Sequence, residues 1–417
     1  MKKISVIVLL VILLIVAGFW LARTPIARNS NEKGLVFFNN GEYKMAEKYF
    51  TQALEWKKDY EEGMINLVKC QLEQQKTEEA RKTLQKLTEL APDHAETLAL
   101  HGQVYVLDED YEKALEVLNQ SIAADSLLAY SYYYRGIAHA NLGELEAAAA
   151  DYLKAQQLDK TNKEALQKGA VVFSKLENFE AAILNYNQLL ELDPTNIQAF
   201  FQRGSFKMQI GDYAGAIDDF NQAIGLDNKL AEAYFNRGRS YVNLEKFREA
   251  IPDFKRSAEL NFKPIGSIYN SGLASMKIND LKGAKKYFLQ CITADKRNEQ
   301  SSKTYHMLGV LEMMQNNSSA SIGYFNRSIS LDSTFADVYY NRAIAYGMMK
   351  KYNKALKDLN KSIELGNESP DVYFARGVNK ISLSKYAAGC EDLAKAEELG
   401  HQQAADMRKQ YCKQFMK

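Results

Sequence analysis

From residue 27 onward, apolar positions fall in paired stripes three and four residues apart, and the two-stripe pattern returns every 34 residues. That spacing marks one face of a helix. Residues 197–230 read IQAFFQRGSFKMQIGDYAGAIDDFNQAIGLDNKL, with one stripe on each side of Gly211-Asp212. The next 34 residues repeat the design: Gly204 becomes Gly238, Ala216 becomes Ala250 and Phe220 becomes Phe254. The pattern predicts two short amphipathic helices per repeat. Eight repeats fill residues 27–298, and three more fill 302–403. Between them Glu299-Gln300-Ser301 breaks the register, which predicts a longer polar loop and a hinge between two blocks. The tail, 404–417, places Met407, Tyr411 and Phe415 at helical spacing, which predicts a helix capping the last open face.

Position 8 of the repeat is small: Gly34, Gly102, Gly136, Gly204, Gly238, Gly272, Gly309 and Gly377, with Val68, Ala170 and Ala343 as departures. Position 20 is alanine in nine repeats, with Ser321 and Gly389 the exceptions. Position 24 is always large, from Phe50 in the first repeat to Leu393 in the last. Small residues let two helices approach closely, and the large one fills the space left. One helix pair cannot bury both faces, so neighbours must stack. Pro92, Pro194 and Pro264 fall at repeat ends, where a second helix stops. Pro252 falls inside a predicted second helix, where it removes a backbone donor and disturbs the helix by about 3 kcal/mol.

Position 7 is arginine in five repeats, and position 23 is aspartate in the same five. The pairs are Arg135 with Asp151, Arg203 with Asp219, Arg237 with Asp253, Arg342 with Asp358, and Arg376 with Asp392. These positions flank the contact between positions 8 and 24. A partly buried arginine needs a carboxylate, so the co-occurrence predicts an ion pair tying the two helices of each repeat.

This pattern resembles the tetratricopeptide repeat family over residues 27–403, about nine-tenths of the chain. The repeats near Leu67 and Lys168 depart most. The resemblance implies an all-α, right-handed superhelical solenoid of helix–turn–helix repeats. First helices would line a concave groove, second helices the convex back, and the groove would bind protein or peptide partners. In such a family positions 2, 5, 6, 9, 12 and 13 face the groove. The resemblance therefore implies an aromatic row at position 5, formed by Tyr133, Phe201, Phe235, Tyr269, Tyr340 and Phe374. Asn66, Asn236, Asn270 and Asn341, together with Tyr134, would edge it at position 6. Aromatic rings supply contact area, and asparagine can hold a peptide backbone at both donor and acceptor. Met307, Met313, Met314 and Met348 add a soft apolar surface nearby.

The family's carboxylate clamp, which grips acidic chaperone tails, needs Lys at position 5 and Asn at position 9 of the repeat before such an asparagine. This chain offers Asn31 with Leu35, Phe201 with Ser205, Phe235 with Arg239, and His306 with Val310. None fits, which disfavours an import-receptor-like role.

Lys2 and Lys3 precede an uncharged apolar run from Ile4 to Ala22, closed by Arg23. Nineteen helical residues span roughly 28 Å, close to the hydrocarbon thickness of a bilayer. Trp20 stands where an interfacial anchor belongs. Residues 1–26 are read as an N-terminal transmembrane helix and its flank. The competing reading is a leader cut near Val16-Ala17-Gly18, giving an exported soluble protein acting in envelope assembly or export. The basic flanks nearly balance. A short basic head before a first apolar segment predicts repeats on the non-cytoplasmic side.

The totals add exclusions. The 53 basic and 52 acidic side chains nearly cancel and form no dense basic block, so nucleic acid is not an expected partner. Cys70, Cys291, Cys390 and Cys412 occupy unrelated repeat positions with no CxxC spacing, which predicts four small buried hydrophobes rather than a disulfide framework or metal site. The histidines, His94, His101, His139, His306 and His401, are scattered. No HExxH, GxSxG or phosphate-cradling GxxxxGK motif occurs. The sequence therefore predicts a non-catalytic scaffold without cofactor or metal.

Overall fold

A computed structural model describes residues 23–294 and 299–413, in 23 α-helices with no strand among the described residues. The chain divides into two compact halves, Met1–Ile210 and Gly211–Lys417. The first half holds α1 (residues 23–39), α2 (Tyr43–Trp56), α3 (Glu61–Glu73), α4 (Thr77–Leu90), α5 (Ala95–Leu107), α6 (Tyr111–Ala124), α7 (Ala129–Leu142), α8 (Leu145–Leu158), α9 (Lys163–Lys175), α10 (Phe179–Leu192) and α11 (Ile197–Gln209). The second holds α12 (Tyr213–Leu226), α13 (Ala231–Asn243), α14 (Phe247–Glu259), α15 (Pro264–Lys277), α16 (Leu281–Ala294), α17 (Glu299–Met314), α18 (Ser318–Leu331), α19 (Ala336–Met348), α20 (Tyr352–Glu364), α21 (Pro370–Ser382), α22 (Tyr386–Glu398) and α23 (Ala404–Tyr411). Within each half, every helix packs on the next to form a solenoid.

Small position 8 sits against large position 24. A methyl group built on Gly272 would meet the Phe288 ring at 2.5 Å, and one on Gly309 would meet Phe325 at 2.4 Å. Those rings are fully buried. Nothing larger than glycine fits there without moving a core ring. The turn between the two helices puts position 15 in the left-handed region throughout. Only Gly41, Gly143 and Gly211 do so as glycine. Gln75, Glu109, Glu177, Glu245, Asn279, Asn316, Lys350 and Ser384 adopt the same positive φ with a side chain attached.

Two expectations need correction. Glu299, Gln300 and Ser301 form no loop: they open α17, which is 16 residues long. Glu and Gln favour helix, and Ser302 locks the added turn by donating to the buried Ser328 carbonyl (3.1 Å). Pro252 lies inside its second helix as expected, and α14 runs through it to Glu259. Cys390 and Cys412 are not isolated buried thiols. They form a disulfide with a Cα separation of 5.8 Å, while Cys70 and Cys291 are free and buried. Cap helix α23 folds back on α22, seating Met407 and Cys412 on the last core cluster, while Ala404 is buried and Tyr411 stays exposed. Where the tail docks decides the pairing, and cysteine spacing carries no trace of it.

The predicted span from Ile4 to Ala22 lies outside the described residues. Among the described residues no helix is long and apolar enough to cross a membrane.

Candidate functional site

In the second half, first helices α13, α15 and α17 stand side by side around a cavity of about 600 Å3. Val242, Leu273, Met276, Met307 and Met314 supply apolar walls, and Phe254 and Ala274 close the depth. Arg239, Asn243, Asn270 and Lys277 supply polar groups. These wall residues sit at positions 6, 9, 12 and 13 of successive repeats, where one helix face turns away from the second helices. Met314 is 49% exposed, an unbranched side chain left in water at the cavity mouth. Arg239 and Lys277 are exposed, and no carboxylate pairs with either among the described residues.

The position 5 rings stand behind this surface rather than on it. Phe235 is buried and packs edge-on against Phe254 and Phe262, with centroids 5.7 and 5.6 Å apart. Tyr269 tilts onto Phe288 (5.6 Å), and Tyr133 onto Tyr152 (6.2 Å). Tyr340 packs on the Ala343–Leu359 cluster, and Phe374 stacks on His401 at 3.9 Å. Phe201 is buried in the first half. Tyr134 leans on Tyr130 and Tyr133, and burial pushes its phenol up to about 12. Burial also raises Tyr133, Tyr269 and Tyr340. The row is thus half core, its rings filling the gap between first and second helices.

The position 6 amides divide. Asn341 donates to His306 Nε2 (2.8 Å), and burial holds that imidazole down at about 4, hence neutral. Asn66 donates to Asn31 Oδ1 (3.0 Å). Asn236 is half-buried on α13. Asn270 lines the cavity with no side-chain hydrogen bond among the described residues, leaving donors and acceptor for an occupant. Sequence reasoning named the groove-facing positions but not Leu273, Met276, Arg239 or Lys277. For Leu273 and Met276 the signal was apolar residues at positions 9 and 12, on a face with no second helix to cover them.

The arginines of position 7 bond in a common way. Arg135 Nε and Nη2 donate to Asp151 (2.9 and 2.6 Å), and Arg237 to Asp253 (2.7 and 2.6 Å). Arg342 holds Asp358 (both 2.7 Å), and Arg376 holds Asp392 (2.9 and 2.7 Å). Each aspartate is buried. The remaining Nη1 reaches back to the preceding repeat and donates to an asparagine at position 25. The acceptors are Asn119, Asn221, Asn326 and Asn360, at 2.7, 2.7, 2.7 and 3.0 Å. Arg203 and Asp219 belong to different halves. Within its own half Arg203 makes the same bond, to Asn187 Oδ1 (2.7 Å). An aromatic ring at position 4 lies beneath each guanidinium, as Tyr234 does under Arg237 (5.4 Å). These arginines are occupied on every side and serve the stack. Repeats seven to nine, whose first helices make the cavity, lack this tie at both shared boundaries. Position 25 there is Lys255 and Leu289, and position 7 is Ser271 and Leu308.

No group of three or more His, Cys, Asp or Glu that could hold a metal ion occurs among the described residues. His101 meets Thr88 (2.7 Å), and His401 stacks on Phe374, so these rings serve packing.

Profiles described as tetratricopeptide repeat match residues 37–104, 99–163, 164–196, 231–263, 265–298 and 336–366, and one described as TPR repeat matches 204–245. The chain belongs to the tetratricopeptide repeat family. It is 31% identical over 85 residues to the protein bimA of Emericella nidulans, covering 20% of this chain and 10% of that one. It is 28% identical over 135 residues to a UDP-N-acetylglucosamine–peptide N-acetylglucosaminyltransferase of Giardia intestinalis, covering 32% and 9%. The chain thus spans about a tenth of the length of these curated relatives. The solved C-terminal part of a TPR repeat-containing protein from Cytophaga hutchinsonii is similar in fold: TM-score 0.50, 17% identity, covering 58% of this chain and 98% of that one.

Proposed function

We propose that this protein is a non-catalytic docking scaffold held at a membrane by its N-terminal apolar run, with its repeats on the non-cytoplasmic side. The observation that carries the docking reading is the apolar cavity between α13, α15 and α17. It has the volume and lining of a binding site, roughly 300–1,000 Å3 with few polar groups among apolar ones. The non-cytoplasmic placement is supported by the Cys390–Cys412 disulfide, since such bonds persist in oxidising compartments. The anchor is supported by the length of the run from Ile4 to Ala22.

A photo-crosslinking residue in place of Met276, in the full-length protein in cells, tests the docking reading. A defined protein adduct that disappears with Leu273→Asp supports it. An adduct pattern unchanged by Leu273→Asp refutes it. Fractionation tests the anchor. Full-length protein released only by detergent supports it, and a mature chain beginning near Phe19 replaces it with the exported soluble form.

A further inference from the structure

Resting on that docking reading, we propose that the α13–α15–α17 cavity takes an acidic peptide segment, one that buries a bulky apolar side chain between flanking carboxylates.

The charge at the cavity carries the argument. Arg239 and Lys277 are the charged residues among its lining, both are cationic, and both are exposed. The cations that tie helices together in this half are already taken up by carboxylates and are not free for an occupant. Arg237, Arg342 and Arg376 hold aspartates, and Lys285 pairs with Glu312 at 2.5 Å. Two unpaired cations over an apolar hollow present one sign of charge to whatever enters, and low-dielectric walls focus that field. A cationic or neutral segment would leave both unanswered. A carboxylate beside each would complete the pairing and fix the register of entry.

The amides favour a peptide over a simple apolar acid. Asn243 lines the cavity and its Nδ2 donates to the Arg239 carbonyl (2.9 Å), which leaves Asn243 Oδ1 as an acceptor with no partner among the described residues. The Asn270 amide supplies both donor and acceptor. Acceptors beside donors match backbone N–H and C=O groups, whereas a fatty acid chain offers neither along its length.

The test uses the full chain in detergent and three labelled octapeptides read by fluorescence anisotropy. One carries Leu-Phe between pairs of Asp, the second carries Leu-Phe between pairs of Lys, and the third carries Ser-Gly between pairs of Asp. The acidic Leu-Phe peptide is expected to bind at least about tenfold tighter than either control. Its affinity should fall severalfold as salt rises, because the pairs are exposed. The double variant Arg239→Glu/Lys277→Glu should reverse the preference, so that the Lys peptide binds more tightly. Both sites are exposed, so the fold is retained. Equal binding of acidic and basic peptides, or an unreversed preference in the double variant, overturns the acidic assignment. Binding of oleate with no binding of any of the peptides also overturns it. The Met276 crosslink separates the readings: an adduct kept in the double variant but lost with Leu273→Asp leaves docking in place and removes only the acidic assignment.

Discussion

Arg237 reaches back across a repeat boundary to donate from Nη1 to Asn221 Oδ1 (2.7 Å), while its other nitrogens hold Asp253 within its own repeat. One side chain thus joins three helices, α12, α13 and α14. Arg237→Ala leaves a buried carboxylate alone and should destabilise the second half by about 3–5 kcal/mol. Asn221→Ala removes one bond to a charged donor and should cost about 1–2 kcal/mol. Urea denaturation followed by circular dichroism measures both. Similar losses for the two variants would show that Asp253 does not depend on Arg237.

His306 makes stability depend on pH. Its imidazole has a pKa lowered from 6.5 to about 4, by burial first, with Asp337 opposing weakly. Below pH 6.5 the unfolded chain takes up a proton that the folded chain refuses until about pH 4. The folded-state pKa lies below the unfolded one, so stability is lost as pH falls through that window. The loss from this group reaches about 3 kcal/mol. His306→Gln keeps an acceptor for Asn341 without the titration. Its stability should vary less than wild type between pH 6.5 and 4, and an equal slope in the two proteins would refute the assignment.

The Cys390–Cys412 disulfide closes 22 residues of chain around the C-terminal cap. A loop of that length is worth about 3 kcal/mol in the chain-entropy account. Cys412→Ser should leave most of the array folded and raise amide exchange in α23 and the adjoining turn of α22. Alkylation of native protein without reductant should find no reactive thiol at either position. Two modified cysteines there would contradict the bond.

The left-handed turn predicts opposite effects at two kinds of residue. Glu245 has φ +57°, where glycine loses no contact and escapes the Cβ clash. Glu245→Gly should therefore stabilise by about 0.5–1 kcal/mol, and Gly143→Ala, at φ +82°, should cost about 1 kcal/mol. Thermal melts of the two variants should shift in opposite directions.

The helix register was legible because packing repeats itself. Gly272 and Phe288 stand 16 residues apart in sequence and meet in space, as do Gly309 and Phe325. The Arg–Asp co-occurrence was legible for the same reason. The asparagine at position 25 was equally visible, since Asn119, Asn187, Asn221, Asn326 and Asn360 each precede an arginine repeat. It was missed because the bond crosses from one repeat to the next. The depth of the aromatic row was not legible, because periodicity gives a helix face, not how far a ring on that face leans inward. Phe235 leans onto Phe254 and leaves the cavity wall to Leu273 and Met276. The disulfide and the helical start of α17 depend on docking and local propensity, which a 34-residue period does not encode.

Arginine–asparagine ties join repeats six to seven and nine to eleven, and they are missing across the two boundaries that frame the cavity. The second half is therefore a clasp whose ends and middle are fastened differently: around the cavity Ser267 donates to Ser257, and Lys285 pairs with Glu312, in place of the arginine–asparagine tie. A bulkier guest would meet unbranched methionine side chains at the cavity mouth, which can repack around it without drawing any arginine away from its aspartate.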